Sequence, residues 1–223
     1  LALAGLAAAA VVSVLILVAI ALAVAYPNLP EVSGLTDYRP KLPMRIFSAD
    51  EVLLGEFGEE RRNFAPIAEI PKVMQDAVLA IEDSRFYDHG GLDIRGFSRA
   101  MISNLQGGSV QGASTLTQQF VKITLQENAL KRGDKDAAKA AVTKTYSRKL
   151  QELKYALNVE ENFTKDQILE GYLNLVYYGD QAYGVEAASL NYFGVSASKL
   201  NLGQAALLAG IVPCMLRAQQ RIL

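Results

Sequence analysis

The first 26 residues, Leu1–Tyr26, carry no charge, and only Ser13 and the terminal Tyr26 bring a polar atom on a side chain. A helix of that length exceeds the roughly 20 residues needed to cross a bilayer. It is too long for the apolar region of a cleaved signal peptide, about 7–15 residues. Pro27 and Pro30 end it. The run predicts an uncleaved membrane anchor; a core helix of a globular protein rarely lacks polar residues so completely. No Lys or Arg precedes the span, so charge does not set its orientation. The chain begins without Met, and a cytoplasmic tail is expected ahead of it.

The remainder of the chain is therefore expected to be a domain tethered at a membrane. About 190–200 residues remain, enough for one domain with its own core. The formal net charge is -1, without the basic excess of a nucleic-acid binder. One cysteine, Cys214, permits no internal disulfide, and with one histidine it does not make a structural zinc site.

Residues 27–65 read as a linker and a hairpin, with Arg45–Phe47 and Val52–Leu54 flanking a turn at Ser48-Ala49-Asp50. From Pro66 the chain reads as helix. Pro71 suits a helix start, and Val73, Ala77, Ala80 and Ile81 form an apolar stripe up to Glu82. Asp93 can cap a helix bearing Phe97, Met101, Ile102 and Leu105, which Gly107-Gly108 ends. Thr115–Gln118 and Thr164–Gln167 have capping-box spacing. One long helix is expected from Lys135 to Val159, and two more around Val185–Phe193 and Leu202–Val212.

Four stretches carry the chemistry. At Glu82-Asp83-Ser84-Arg85-Phe86-Tyr87-Asp88-His89-Gly90-Gly91 the apolar run stops, and acids, aromatics and the sole histidine arrive together. That composition suits a cleft where a carboxylate meets a polar substrate. A charged helix end and turn is the plain alternative. Gly112–Lys122 gathers Ser114, Thr115, Thr117, Gln118, Gln119 and Lys122 at a helix start, where free N–H groups and the dipole attract anions. Capping alone accounts for Thr115 and Gln118, but not for the whole group. Arg148-Lys149-Leu150-Gln151-Glu152 lies mid-helix, with Tyr146, Leu150, Leu153 and Leu157 on the apolar face and Arg148 and Glu152 pointing the other way. Read alone, Arg148 and Glu152 are an exposed ion pair, worth about 0.3–0.5 kcal/mol. Lys165–Asn174 puts Glu170 and Asn174 on one helix face, while Ile168, Leu169, Tyr172 and Leu173 read as core.

These stretches resemble, in order, signatures of the peptidoglycan glycosyltransferases, including those of bifunctional (class A) penicillin-binding proteins. The first is Glu82-Asp83 with Phe86, His89 and Gly91; the second is Gly-x-Ser-Thr-x-Thr-Gln-Gln-x-x-Lys over Gly112–Lys122. The third is Arg-Lys-x-x-Glu at Arg148–Glu152, the fourth Lys-x-x-Ile-Leu-Glu-x-Tyr-Leu-Asn at Lys165–Asn174, and the fifth Ala205–Pro213. The resemblance covers roughly Leu29–Pro213. The family's hairpin turn is usually Asp-Gly, whereas Glu51 follows Asp50 here. After Pro213 members usually continue through a polar segment, whereas Cys214-Met215-Leu216 runs straight into a basic helix. Glu127–Ala141 is longer and more charged than in many members, and reads as a surface insertion. Ser196-Ala197-Ser198-Lys199 and Ser189-Leu190-Asn191 mimic a transpeptidase site, but no Lys-Thr-Gly accompanies them and Ser196 reads as a helix start.

The resemblance implies a mainly α, lysozyme-like fold with a larger head and a membrane-facing jaw that includes Phe97–Gly112. It divides the chain into an anchor (1–26), a linker and hairpin (27–65) and a glycosyltransferase domain (66–223). It implies polymerisation of lipid II, with Glu82 as general base and polyprenyl diphosphate as leaving group. It also implies that Glu152 is the second catalytic-site carboxylate. Asp83, Phe86, His89, Ser114, Thr115, Thr117, Gln118, Gln119, Lys122, Arg148, Lys149, Lys165, Glu170 and Asn174 are implied in substrate binding or its support. Lys122, Arg148 and Lys149 are implied as the diphosphate clamp, with Glu152 either ordering that clamp or holding a Mg2+ or Mn2+ ion that bridges the diphosphate; no organic cofactor is expected. The implied partners are lipid II, the growing glycan, membrane lipid, moenomycin-type phosphoglycolipids and other cell-wall synthesis proteins, but no nucleic acid. The implied location is the bacterial cytoplasmic membrane, single-pass, with the domain on the outer side. A lysozyme-fold muramidase or lytic transglycosylase would share a single catalytic Glu but need no phosphate-binding cations. A non-catalytic membrane scaffold would tolerate the loss of Glu82.

Overall fold

The computed structural model describes Ser13 and residues 44–57, 61–105, 114–143 and 145–222. The anchor Leu1–Tyr26 otherwise lies outside the described residues, as do Gly107-Gly108 and Gly112-Ala113. No helix among the described residues is long and apolar enough to cross a membrane.

The predicted hairpin forms. Strand β1 (Met44–Phe47) pairs antiparallel with β2 (Leu53–Phe57), with an irregularity between Ile46 and Phe47. Glu51, where the family has glycine, takes φ +61°. Ser48 clamps the turn, its Oγ accepting from the Val52 N–H at 3.1 Å. The short strand β3 (Arg61–Arg62) then pairs in parallel with β4 (Ala182–Tyr183). Arg61–Ala65, on the linker side of the boundary drawn at Pro66, are thus tied into the helical body. Arg62 is buried in an ion pair with Glu127 and stacks its guanidinium 4.2 Å from the Tyr183 ring centroid.

The rest of the described chain is mainly helical: α1 (Lys72–Glu82), α2 (Ile94–Leu105), α3 (Leu116–Lys131), α4 (Lys135–Val142), α5 (Tyr146–Asn162), α6 (Lys165–Leu175), α7 (Val185–Phe193) and α8 (Leu202–Ile222). Helix α3 is central, buried on most of its circumference and contacted by α4, α5 and α6. It buries Thr117, Gln118, Gln119, Thr124, Gln126 and Glu127 along with its apolar residues. Polar groups so placed need partners, and several of those partners belong to the candidate active site. Helix α6 opens on a complete capping box, with Thr164 and Gln167 bonding each other's backbone N–H.

Four sequence expectations are corrected. The buried face of α1 is Met74, Val78 and Leu79, while Val73, Ala80 and Ile81 are exposed. Both sets have helical spacing, and the face that meets α8 is the one that continues onto Glu82. The helix expected over Lys135–Val159 is two, because Thr145 leaves helical geometry to cap α5, accepting from the Arg148 N–H at 3.2 Å. Glu127–Ala141 is no mere surface insertion, since α4 folds back on α3, burying Ala138 and Val142, and Glu127 is the buried partner of Arg62. Finally, α8 does not stop near Val212. Pro213 deprives one carbonyl of its donor, yet the buried series Ala205, Leu208, Ala209, Val212 and Leu216 crosses it, and packing on α1 sustains the helix.

Candidate active site

Asp83 makes the junction on which the site is built. It ends α1, its N–H donating to the Leu79 carbonyl at 2.9 Å. Its carboxylate accepts from the Leu116 N–H at 2.9 Å, at the start of α3, and both its oxygens lie 3.0 Å from His89 Nε2. A negative charge at a helix N-terminus meets orphan N–H groups and the positive end of the dipole. Asp83 therefore joins the end of α1 to the start of α3 and sets Glu82 beside the first turn of α3.

Glu82 Oε2 accepts from Gln119 Nε2 at 2.7 Å. Its other oxygen, Oε1, is shielded from bulk water and has no protein partner. Burial pushes the Glu82 carboxyl above the ordinary glutamate value, and the adjacent Asp83 charge adds to this. The Gln119 hydrogen bond and the Lys122 and Arg217 charges pull against that rise. A carboxylate with one oxygen held and one free, its basicity raised, is suited to accept a proton.

Glu82 lines a cleft of about 290 Å³ with Asp83, Ser84, Asp93, Arg99 and Ser114 among its other walls. The cations lie on the α3 and α5 side. Lys149 Nζ donates to Ser114 Oγ at 2.7 Å and Gln118 Oε1 at 2.8 Å, and stands 3.3 Å from Glu152 Oε2. Arg148 reaches the same oxygen at 3.0 Å. These are charge contacts rather than aligned hydrogen bonds, since Glu152 Oε2 has no well-directed donor. Burial lowers the Lys122 pKa; Glu152 and Glu82 oppose the shift, while Arg148 and Lys149 reinforce it. Three cations thus surround one buried carboxylate.

This reverses the sequence reading of α5. Glu152 is only 3 % exposed and faces inward with Tyr155, Ala156 and Val159, whereas Leu150, Leu153 and Leu157 are half-buried. Arg148 and Glu152 are not an ordinary exposed pair.

The other expected site residues serve different places. Phe86 is 1 % exposed and sits in the core, with Lys165 Nζ 4.4 Å from its ring centroid. Lys165 also donates to the His89 carbonyl and to Glu160, and Thr117 donates to that same Glu160 oxygen. Thr115 and Gln118 both donate to the Gly91 carbonyl, at 2.9 and 3.0 Å. The loop from Phe86 to Gly91 is thereby fastened to α3 and α6. Glu170 accepts from the Ile67 N–H at 2.7 Å, while Asn174 bonds both backbone groups of Ala65 at 2.8 Å each. They hold the segment that leads into α1.

Sequence reasoning missed Ser84, Asp93 and Arg99 as cleft residues, and Arg217 as a charge acting on Glu82. Asp93 was legible only as a cap, a part it does play towards the Gly96 N–H at 2.9 Å. Arg99 and Arg217 join the site only once α2 and α8 are docked, and no local pattern signals that.

Among the described residues no group of three or more His, Cys, Asp or Glu side chains could hold a metal ion. Glu152 is one carboxylate already in contact with two cations, so these side chains do not form a metal site by themselves.

Comparison with known proteins identifies the family. Residues 50–219 match the family model described as Transglycosylase. The chain is 42% identical over 189 residues to penicillin-binding protein 1A of Neisseria flavescens, covering 84% of this chain and 22% of that protein. It is 43% identical over 189 residues to penicillin-binding protein 1A of Neisseria gonorrhoeae, with the same coverage. It is 40% identical over 185 residues to that of Vibrio cholerae, covering 82% of this chain and 21% of that protein. The chain thus spans about a fifth of the length of the curated relatives it matches. On the family match and these relatives, the chain belongs to the transglycosylase family, as the peptidoglycan glycosyltransferase domain of a class A penicillin-binding protein.

Proposed function

We propose that this domain extends glycan strands from lipid II by inverting glycosyl transfer. The observation that carries the proposal is the pairing of a buried carboxylate that has one free oxygen with a cluster of three cations across the start of α3. The acceptor's sugar 4-hydroxyl attacks the anomeric carbon of the growing chain and forms the new C–O bond. Glu82 Oε1 takes the hydroxyl proton. The bond from the anomeric carbon to the diphosphate oxygen breaks, and polyprenyl diphosphate leaves with the electron pair. Attack on an α-linked donor from the opposite face gives a β-linked product. Lys122, Arg148 and Lys149 bind the diphosphate, where preorganised positive charge stabilises the leaving group. Glu152 keeps the three cations together. Asp83, Phe86, His89, Thr115, Thr117, Lys165, Glu170 and Asn174 act on substrate through the frame they hold, and Ser114, Gln118 and Gln119 through the cations and the base. Any Mg2+ or Mn2+ would arrive with the diphosphate, with Glu152 as the protein carboxylate that could hold it, and would add positive charge on the leaving group.

A muramidase would need the carboxylate but has no use for the cations. The binding experiment is therefore direct: Lys122→Ala and Arg148→Ala should each weaken affinity for a lipid diphosphate, or for a moenomycin-type phosphoglycolipid, by about tenfold or more. Unchanged affinity in both variants, with helicity retained, would leave these side chains only a structural part as partners of the buried Glu152.

The proposed setting is a bacterial cytoplasmic membrane, with residues 1–26 as a single-pass anchor, 27–65 as linker and hairpin, and 66–223 as the catalytic domain on the outer side. The jaw begins with α2, whose Ile94, Phe97 and Ile102 are exposed, and an apolar helix face suits contact with lipid. Other cell-wall synthesis proteins are proposed partners. Protease added to intact spheroplasts should digest the domain, whereas full protection would refute this topology.

A further inference from the structure

The group that holds Glu82 is itself held. Gln119 Nε2 donates to Glu82 Oε2 at 2.7 Å. An ionised carboxylate only accepts hydrogen bonds, so the amide turns its NH2 towards Glu82 and its oxygen away. There the Tyr172 hydroxyl donates to Gln119 Oε1 at 3.3 Å, long for an O–H···O contact. Tyr172 lies on α6 and is 0 % exposed. Burial, and secondarily the Glu82 charge, push its phenol well above the ordinary tyrosine value, so it remains a donor. Core packing at this position asks only for a ring; a fully buried hydroxyl with a single polar contact has a more specific use.

We propose that Tyr172 is a positioning residue for the general base: its hydroxyl fixes the Gln119 amide so that Gln119 holds Glu82 Oε2 and leaves Oε1 free for the acceptor's proton. This rests on Glu82 being the base. The groups facing Glu82 are Gln119 and Lys122 from α3, Arg217 from α8, the adjacent Asp83, Tyr172 from α6 and Tyr178 from the segment after it. Among them, Gln119 is the one that bonds to Tyr172. Without the hydroxyl the amide can rotate and bring its oxygen against the carboxylate, which loses a donor that favours its charged form.

Tyr172→Phe keeps the ring and removes the hydroxyl. In the full chain acting on lipid II, kcat should fall about three- to tenfold with KM unchanged, and the acid limb of the pH–rate profile should move to higher pH. Gln119→Leu should displace the limb in the same direction, and adding Tyr172→Phe to it should change nothing further. Tyr172→Met, smaller and flexible and also without a hydroxyl, repeats the pH test if the Phe variant does not fold. An acid limb that stays in place, whatever happens to kcat or Tm, overturns the proposal, as does a double variant whose losses multiply. A Glu82→Gln enzyme that keeps the wild-type rate and acid limb refutes the assignment of the base itself, and is thereby distinguished from failure of Tyr172 alone.

Discussion

Glu82→Gln should lower the rate of lipid II polymerisation by about 10²–10⁴-fold, the usual cost of losing a general base. Gln keeps the size and the polar contacts of the side chain but cannot take the acceptor's proton. Substrate should still bind, because the cations proposed to hold the diphosphate are untouched. The pH profile of the wild type supplies an internal check. Burial raises the Glu82 pKa, with the Gln119 bond and the Lys122 and Arg217 charges limiting the rise. A base works when ionised, so activity should fall as pH drops through that raised value, and this acid limb should be absent from any residual Glu82→Gln activity. Stability should move the other way. A folded-state pKa above the unfolded one adds stability at low pH that is lost as pH rises through the folded value. At neutral pH the ionised Glu82 therefore carries a cost that Gln does not, and Tm of the variant should hold or rise. Lost activity without lost stability separates a catalytic carboxylate from a structural one.

Gly184→Ala should destabilise the domain by about 2–4 kcal/mol, read as a lower denaturation midpoint. Gly184 has φ +85°, a conformation that strains residues with a side chain, and an added Cβ would lie 2.7 Å from the Asn174 carbonyl oxygen. That neighbour is backbone and cannot swing aside. The close approach also matters for the site, because Asn174 holds both backbone groups of Ala65, and Glu170 holds Ile67, in the segment leading to α1 and Glu82. Activity per folded molecule should drop together with stability. A variant as stable as the wild type would mean that the segment from β4 to α7 can shift to accept the methyl group.

The parts of the fold legible in the sequence are those fixed by local chemistry. Thr164 and Gln167 state a helix start outright, and Ser48 with Asp50 marks a turn that forms even though Glu51 takes the positive φ. Which face of a helix turns inward is a different matter. Val73, Ala77, Ala80 and Ile81 have the same helical spacing as Met74, Val78 and Leu79, and only the docking of α8 decides between them. On α5 the rule of apolar inside fails for a physical reason. Glu152 is buried because Lys122, Arg148 and Lys149 surround it, and those cations come from two helices. Many of the residues singled out in the sequence come together around the start of α3, but how they divide the work there was not legible. Glu82 and Asp83 line the cleft, and Lys149 reaches its wall at Ser114 from the cluster around Glu152, whereas Phe86, Thr117, Lys165 and Asn174 hold the frame. The hydroxyl of Tyr172 was hidden among core residues because its partner, Gln119, is 53 positions away in sequence.

The most direct measurement traces the fate of lipid II when it is incubated with the purified chain, resolving polymer, released polyprenyl diphosphate and cleavage products. With Glu82 as base and the cations on the leaving group, lipid II should be consumed, β-linked strands should lengthen and one polyprenyl diphosphate should appear for each bond formed. Protein that leaves lipid II intact but cuts finished glycan strands would contradict this mechanism, and would place the chemistry of Glu82 with the lytic enzymes.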